Sequence, residues 1–140
     1  MEPEVIKDGD LILAIIIRNG DFKEGLNFFS QDEDFVQVGT WNYNQGKILN
    51  AHNHLVFDRQ VNRTQEVVII KYGKLKADFY NEEDKIIQST ELNAGDVFIC
   101  LNGGHGYEVL EDNTQVMEVK NGPYLGVEKD KRLIEVKNDK

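Results

Sequence analysis

The chain has 140 residues, room for one domain with a single hydrophobic core, and we expect that domain to span residues 1–140. Its net charge of −9 and pI near 4.8 weigh against binding to a nucleic-acid backbone or an anionic membrane surface. No window approaches the roughly 18 apolar residues of a membrane span, and the N-terminal flank is acidic where a secretory signal is basic. We therefore expect a cytoplasmic protein.

Short apolar or alternating runs follow one another along the chain, separated by glycine, asparagine and aspartate, as is typical of strands. The predicted strands are Leu11–Arg18, Phe35–Tyr43, Lys47–Leu55, Gln65–Tyr72, Lys74–Tyr80, Ile86–Leu92, Asp96–Leu101, Tyr107–Leu110 and Gln115–Lys120. No stretch of about 12 residues has a helical apolar period, although residues 21–30 have room for a helical turn. The pattern predicts an all-β sandwich or barrel.

Two of the predicted strands are apolar on both faces. Every residue of Leu11–Ile17 is apolar, and in Gln65–Tyr72 both sets of alternate residues, one for each face of the strand, include Val and Ile. In so small a protein, the outer face of such a strand needs either a covering segment of the same chain or a partner chain. We expect a homodimer, with a covering segment as the alternative.

All three histidines of the chain stand where a metal site would require them. His52 and His54 are two residues apart on a predicted strand, so their side chains leave one face and can meet one cation. His105 follows the tight turn at Asn102–Gly104. Glu66 shares a strand face with core residues, where a carboxylate is costly unless it is paired or bound to a cation. Three imidazoles and a carboxylate suit a transition metal better than calcium.

Each of these features also has a purely structural explanation. A His-x-His pair can face solvent on an edge strand, and a glutamate before an apolar run can be the exposed start of that strand. Other carboxylates, in polar turns, are available as the acidic ligand: Asp58, Glu82 and Glu83. The single cysteine, Cys100, excludes an intrachain disulfide, and in its apolar run we expect a buried, inert thiol.

The spacing of these residues resembles the two motifs of the cupin family. Residues 46–54 have the form G-x5-H-x-H and residues 66–73 the form E-x6-G, as in the first cupin motif, whose two histidines and glutamate bind metal in the family. Residues 95–105 are similar to the second motif, in which a glycine opens a strand and a turn delivers the last histidine. The resemblance covers about residues 35–120 and implies a cupin double-stranded β-helix, or jelly-roll barrel.

The cupin resemblance also implies one bound divalent transition metal, with iron, manganese, zinc and nickel not distinguished. The implied metal ligands are His52, His54, Glu66 and His105. The family has three or four residues between the second histidine and the glutamate, whereas here eleven residues, Leu55–Gln65, intervene. We expect this insertion to carry what makes the chain specific.

Three residues are candidates for a catalytic role: Glu118, Lys120 and Arg63. One parity of Gln115–Lys120 would place Glu118 and Lys120 beside the metal, and the other would leave them at the surface. Arg63 lies in the insertion, where a lid could supply a guanidinium to a substrate carboxylate or phosphate; an arginine at the surface without a catalytic role is the alternative.

Three local phrases are similar to small, mostly uncharacterised cupins that accompany surface-polysaccharide and sugar-nucleotide enzymes. They are Thr64–Val67, Gly103–Tyr107 and Met117–Tyr124. This likeness implies a small-molecule ligand related to carbohydrate. We expect a sugar or sugar-acid isomerase or epimerase, with a metal-dependent dioxygenase and a non-enzymatic ligand-binding module as alternatives. The chain has no DNA-reading helix pattern or basic stripe, so no nucleic-acid partner is expected.

Overall fold

The computed structural model describes residues 2–135, which form an all-β fold, as the sequence predicts. The strands are β1 Glu4–Asp8, β2 Leu11–Ile17, β3 Gly25–Phe28, β4 Gly39–Asn42, β5 Glu66–Tyr72, β6 Lys74–Tyr80, β7 Ile86–Asn93, β8 Val97–Cys100, β9 Gly104–Val109 and β10 Gln115–Lys120. A 3₁₀ turn at Asn19–Asp21 and a single helical turn, α1, at Val127–Asp130 accompany them. Among these residues no helix is long and apolar enough to cross a membrane.

Two antiparallel sheets enclose the main core. The large sheet has the order β1-β2-β8-β5-β10, the small sheet has the order β7-β6-β9, and β3 and β4 form a separate hairpin. Phe98 of the large sheet meets Phe79 of the small sheet edge to face, with ring centroids 5.7 Å apart, a favoured aromatic geometry. As far as residues 2–135 show, neither sheet closes on itself, so β10 and β9 are edge strands there.

The outer face of the large sheet has an apolar cover from the same chain. Ile15, Val67 and Ile99 lie opposite one another on adjacent strands, and all three are buried. The side chains packed against them include Phe29 and Val38, from the segment between β3 and β4. The chain itself therefore supplies a covering segment, and the homodimer stays a prediction.

The strand predicted at Lys47–Leu55 was wrong. Residues 43–65, which we call the histidine segment, contain neither strand nor helix. Its Ile48 and Leu55 side chains are 80% and 83% exposed. A strand requires a neighbour for its backbone N–H and C=O groups, and among residues 2–135 no strand pairs with this segment, although its apolar pattern is that of a strand.

Two further regions near the N-terminus differ from what their sequence suggests. Residues 21–30, which have room for a helical turn, instead contain strand β3, Gly25–Phe28, which pairs with β4. The predicted strand Phe35–Tyr43 is reduced to Gly39–Asn42, because the residues before it cover the large sheet instead. Tertiary packing has overridden local propensity in both places.

Candidate functional site

Strand β5 carries Glu66 on the inner face of the large sheet. In the pairing register, Glu66 lies opposite Cys100 of β8 on one side and Lys120 of β10 on the other. Two pairs further along, the core residue Val68 lies opposite Glu118. Residues directly opposite one another share a face of the sheet, so Glu118 and Lys120 lie on the face of Glu66. The sequence left open which alternate residues of β10 share the face of Glu66, and the register shows that Glu118 and Lys120 do.

Strand β9 of the small sheet supplies the groups that face Glu66. His105 and Tyr107 lie opposite the buried residues Phe79 and Ala77 of β6, which places both side chains on the inner face. His105 Nε2 is 3.0 Å from Glu66 Oε2. The Tyr107 ring stacks on the His105 ring, with centroids 5.1 Å apart and planes 10° apart. We call the group formed by Glu66, Cys100, His105, Tyr107 and Glu118 the polar cluster.

A tight turn between β8 and β9 delivers His105 to this position. Gly103 has φ of +71°, and a Cβ atom there would collide with the carbonyl oxygen of Tyr80. Only glycine meets both requirements without strain. The next residue but one is His105, so the turn sets where the imidazole enters the space between the sheets.

Glu66 is buried and incompletely satisfied. Only 4% of the residue is exposed, and its Oε1 atom has no hydrogen-bond partner among the described residues. Burial by itself would raise the pKa of Glu66, but the neighbouring side chains of His105 and Glu118 outweigh burial and lower that pKa.

The neighbours of Glu66 hold their protons more tightly than usual. Burial opposes the charge on His105, yet its neighbours Cys100 and Glu66 raise the pKa of its imidazole to about 10. The neighbouring carboxyl group of Glu66, followed by burial, raises the pKa of Glu118. Burial, followed by nearby negative charge, raises the pKa of Tyr107. The polar cluster therefore places one carboxyl group with a lowered pKa beside His105, Tyr107 and Glu118, whose pKa values are raised.

A cleft between the edge strands β9 and β10 leads to the polar cluster. Its volume is about 480 Å³, and it is lined by Leu75, Tyr107, Val109, Thr114, Val116 and Glu118. We call it the β9–β10 cleft. Because Tyr107 and Glu118 belong both to its walls and to the polar cluster, a small molecule in the cleft would touch proton-bearing groups.

The structure does not bring His52 and His54 to the polar cluster. Both are exposed in the histidine segment, with rings edge to face and centroids 5.1 Å apart, and His52 Nδ1 lies 2.9 Å from the carbonyl oxygen of Asn50. Within residues 2–135 no three His, Cys, Asp or Glu side chains are arranged to hold a metal ion. The strand placement of the two histidines was wrong; their role as ligands stays a prediction.

The other sequence candidates are also placed by the structure. The alternative carboxylates Asp58, Glu82 and Glu83 are all exposed. Sequence reasoning missed Tyr107, although its separation of two residues from His105 on one strand was the available signal. Cys100 is buried, as expected, and its Sγ atom lies 3.9 Å from the Tyr107 hydroxyl.

Comparison of the chain with protein-family models, with curated proteins and with solved structures finds no significant match. Function is therefore inferred from the residues and geometry described above.

Proposed function

We propose that this chain is a metal-binding protein of the cupin type, with one divalent transition metal held by Glu66, His105, His52 and His54. The observation that carries the proposal is that the buried Oε1 atom of Glu66 has no hydrogen-bond partner within residues 2–135, while the Oε2 atom of the same carboxyl group lies beside the His105 imidazole. A buried polar atom without a partner costs roughly 1–3 kcal/mol, and more when it is charged. A cation at Glu66 would remove that cost, and imidazole and carboxylate are ligands that transition metals accept.

We further propose that the histidine segment supplies His52 and His54 by forming a strand at a free sheet edge when metal binds. Ile48 and Leu55 flank the two histidines and are exposed, although a strand with one buried face would cover such side chains. The edges of β9 and β10 pair with no other strand in residues 2–135. Added strand pairing would satisfy these edges and complete the jelly-roll barrel that the motifs imply.

For the reaction, we propose isomerisation or epimerisation of a sugar or sugar acid in the β9–β10 cleft. Glu118 lines the cleft with a raised pKa, which brings a carboxyl group closer to the neutral range in which it can both accept and return a proton. Tyr107 retains its proton and can donate a hydrogen bond to a substrate oxygen. When bound, the metal supplies Lewis-acid polarisation of a carbonyl or hydroxyl oxygen. Lys120, on the same face as Glu66, adds positive charge near the carboxylates.

Metal content tests the first proposal. Protein purified without chelators and loaded with zinc, manganese, iron or nickel should hold a stoichiometric amount of metal by elemental analysis. The double variant His52→Ala/His54→Ala and the single variant Glu66→Gln should each lose it. Glu82→Gln, which changes an exposed glutamate in a turn, is the matched control and should keep it. Wild-type protein that takes up none of the four metals, or a double histidine variant that stays fully loaded, would contradict the proposal.

Deuterium uptake tests the proposed reaction. Metal-loaded protein, mixed with sugars and sugar acids in deuterated water, should exchange the proton on the carbon beside the carbonyl. Glu118→Gln should slow this exchange by roughly 10²–10⁴-fold while metal content is unchanged, because it removes the group that moves the proton. Glu108→Gln is the matched control, since Glu108 alternates with Tyr107 and Val109 on β9 and faces away from the cleft.

The alternatives give different outcomes in the same assay. Exchange that is absent from every wild-type sample contradicts isomerisation. Oxygen consumption with iron alone would assign a dioxygenase instead, and a ligand-dependent rise in melting temperature without turnover would assign a binding module.

A further inference from the structure

A second cavity, of about 520 Å³, opens at the end of the large sheet where β8 and β10 finish and β5 begins. Three stretches of chain that are distant in sequence form its walls, namely residues 61–64, 100–103 and 121–130. We call this cavity the end pocket. It is distinct from the β9–β10 cleft, because the two have no lining residue in common.

Side-chain amides hold the walls of the end pocket together. Asn121 accepts a hydrogen bond from the Gln65 backbone N–H at 2.7 Å and donates one to the Arg63 carbonyl at 3.1 Å, which ties the end of β10 to the start of β5. Asn102 donates to the Ile12 carbonyl at 2.7 Å and accepts from the Arg63 guanidinium. These bonds hold Arg63 in the pocket in a defined position.

The charged groups of the end pocket favour an anion. Arg63 and Lys129 line it, and neither forms an ion pair with a carboxylate within residues 2–135. The one acidic group in the lining, Asp130, accepts a hydrogen bond from the Thr64 hydroxyl at 2.6 Å. A guanidinium fork matches the oxygens of carboxylate or phosphate, and only one of its bonds is used by Asn102.

The end pocket also reaches the polar cluster. Cys100 lines the pocket, and its Sγ atom is 3.9 Å from the hydroxyl of Tyr107. Cys100 and Tyr107 therefore connect the two cavities, because Cys100 lines the end pocket and Tyr107 lines the β9–β10 cleft. The remaining lining includes the amide side chain of Asn62, which can bond hydroxyl groups.

We propose that the end pocket binds the oxyanion of a small polyhydroxylated substrate, a sugar phosphate or a sugar acid, through Arg63 and Lys129. The sugar part of this statement rests on the proposed function, whereas the oxyanion part rests on the pocket alone. Phosphate and carboxylate share the chemistry that the two cations recognise, and separate probes distinguish them.

Calorimetric titration with glucose 1-phosphate, glucuronate and uncharged glucose tests the proposal on the full chain. At least one charged probe should bind, and glucose should bind roughly tenfold or more weakly, because it lacks the charge-assisted hydrogen bonds. Binding of glucose 1-phosphate alone assigns a phosphate site, and binding of glucuronate alone assigns a carboxylate site. Glucose that binds as tightly as both charged probes, or no binding of any probe, would overturn the proposal.

Two variants and two matched controls locate the binding site. Arg63→Gln and Lys129→Gln should each weaken the charged probe by roughly tenfold. Arg59→Gln and Lys131→Gln are the matched controls, and both should bind the probe as the wild type does. Arg59 lies in the histidine segment with its guanidinium over the Phe57 ring, and Lys131 lies two residues beyond Lys129. Arg63→Lys, which keeps the charge, should recover part of the affinity. Equal losses in variants and controls would refute the assignment.

Metal content, measured on the same variants, separates this proposal from the proposed function. Arg63→Gln should bind the charged probe more weakly than the wild type does, but should hold the same amount of metal. Suppose that the wild-type protein binds no metal, and that it binds the charged probe more tightly than Arg63→Gln does. This result would contradict the metal proposal and support the end-pocket proposal.

Discussion

The two halves of the predicted metal site lie in different surroundings. Glu66 and His105 sit on paired strands between the two sheets, 3.0 Å apart, and Glu66 is buried. His52 and His54 sit in the histidine segment, exposed and without strand pairing. Backbone pairing and core packing hold the first half in place, while the second half has only local contacts. The difference shows that a ligand motif places a side chain only where its backbone also finds a partner.

The largest expected difference between the paired strands and the histidine segment is in how much a buried or exposed side chain contributes to stability. Phe98 is fully buried and contacts the rings of Phe79 and Tyr107, whereas Phe57 in the histidine segment is 58% exposed. In metal-free protein, Phe98→Ala should lower the free energy of unfolding by about 3–5 kcal/mol, and Phe57→Ala by about 0.5 kcal/mol or less. Urea unfolding measures both. Similar losses for the two variants would mean that the histidine segment is packed as well as the core.

The charge on His105 provides the second contrast. In protein kept free of metal, NMR titration should show the His105 imidazolium persisting until the pH approaches its pKa of about 10. Since that pKa is raised above the ordinary value of 6.5, its contribution to stability is present below pH 6.5 and is lost as the pH rises towards 10. Glu66→Gln should lower the pKa of His105 and flatten stability across this range. An unchanged pKa in that variant would show that Glu66 is not the partner that sustains the charge.

The smallest expected effect is in hydrogen exchange, which tests whether the histidine segment forms a strand when metal binds. If metal binding draws the histidine segment onto a sheet edge, the backbone amides of residues 47–55 should exchange more slowly in metal-loaded protein, by roughly tenfold, as expected for a marginally stable edge strand. The amides of β5 and β8 should change little, because both strands are already paired on each side. Exchange of residues 47–55 that is the same with and without metal would contradict the proposed strand, even if metal binds.

Much of the fold follows from the alternation of side chains. The strands over Leu11–Ile17, Lys74–Tyr80 and Gln115–Lys120 match their predicted ranges closely, because apolar or alternating residues bounded by turn residues are local signals. Glu66 and His105 were selected as metal-ligand candidates from their spacing, and the structure places them 3.0 Å apart; their role as ligands stays a prediction.

The sequence by itself determined the all-β class, most strand positions and the two residues at the centre of the polar cluster. Tertiary structure alone decided which face of β10 turns towards Glu66, that Tyr107 joins His105, and that Arg63 and Lys129 share one pocket. It also decided that residues 47–55, although patterned as a strand, pair with no strand in the described part of the chain. The physical reason is that the apolar pattern of a strand is set by its own residues, whereas register, edge position and pocket walls depend on hydrogen bonds between segments far apart in the chain.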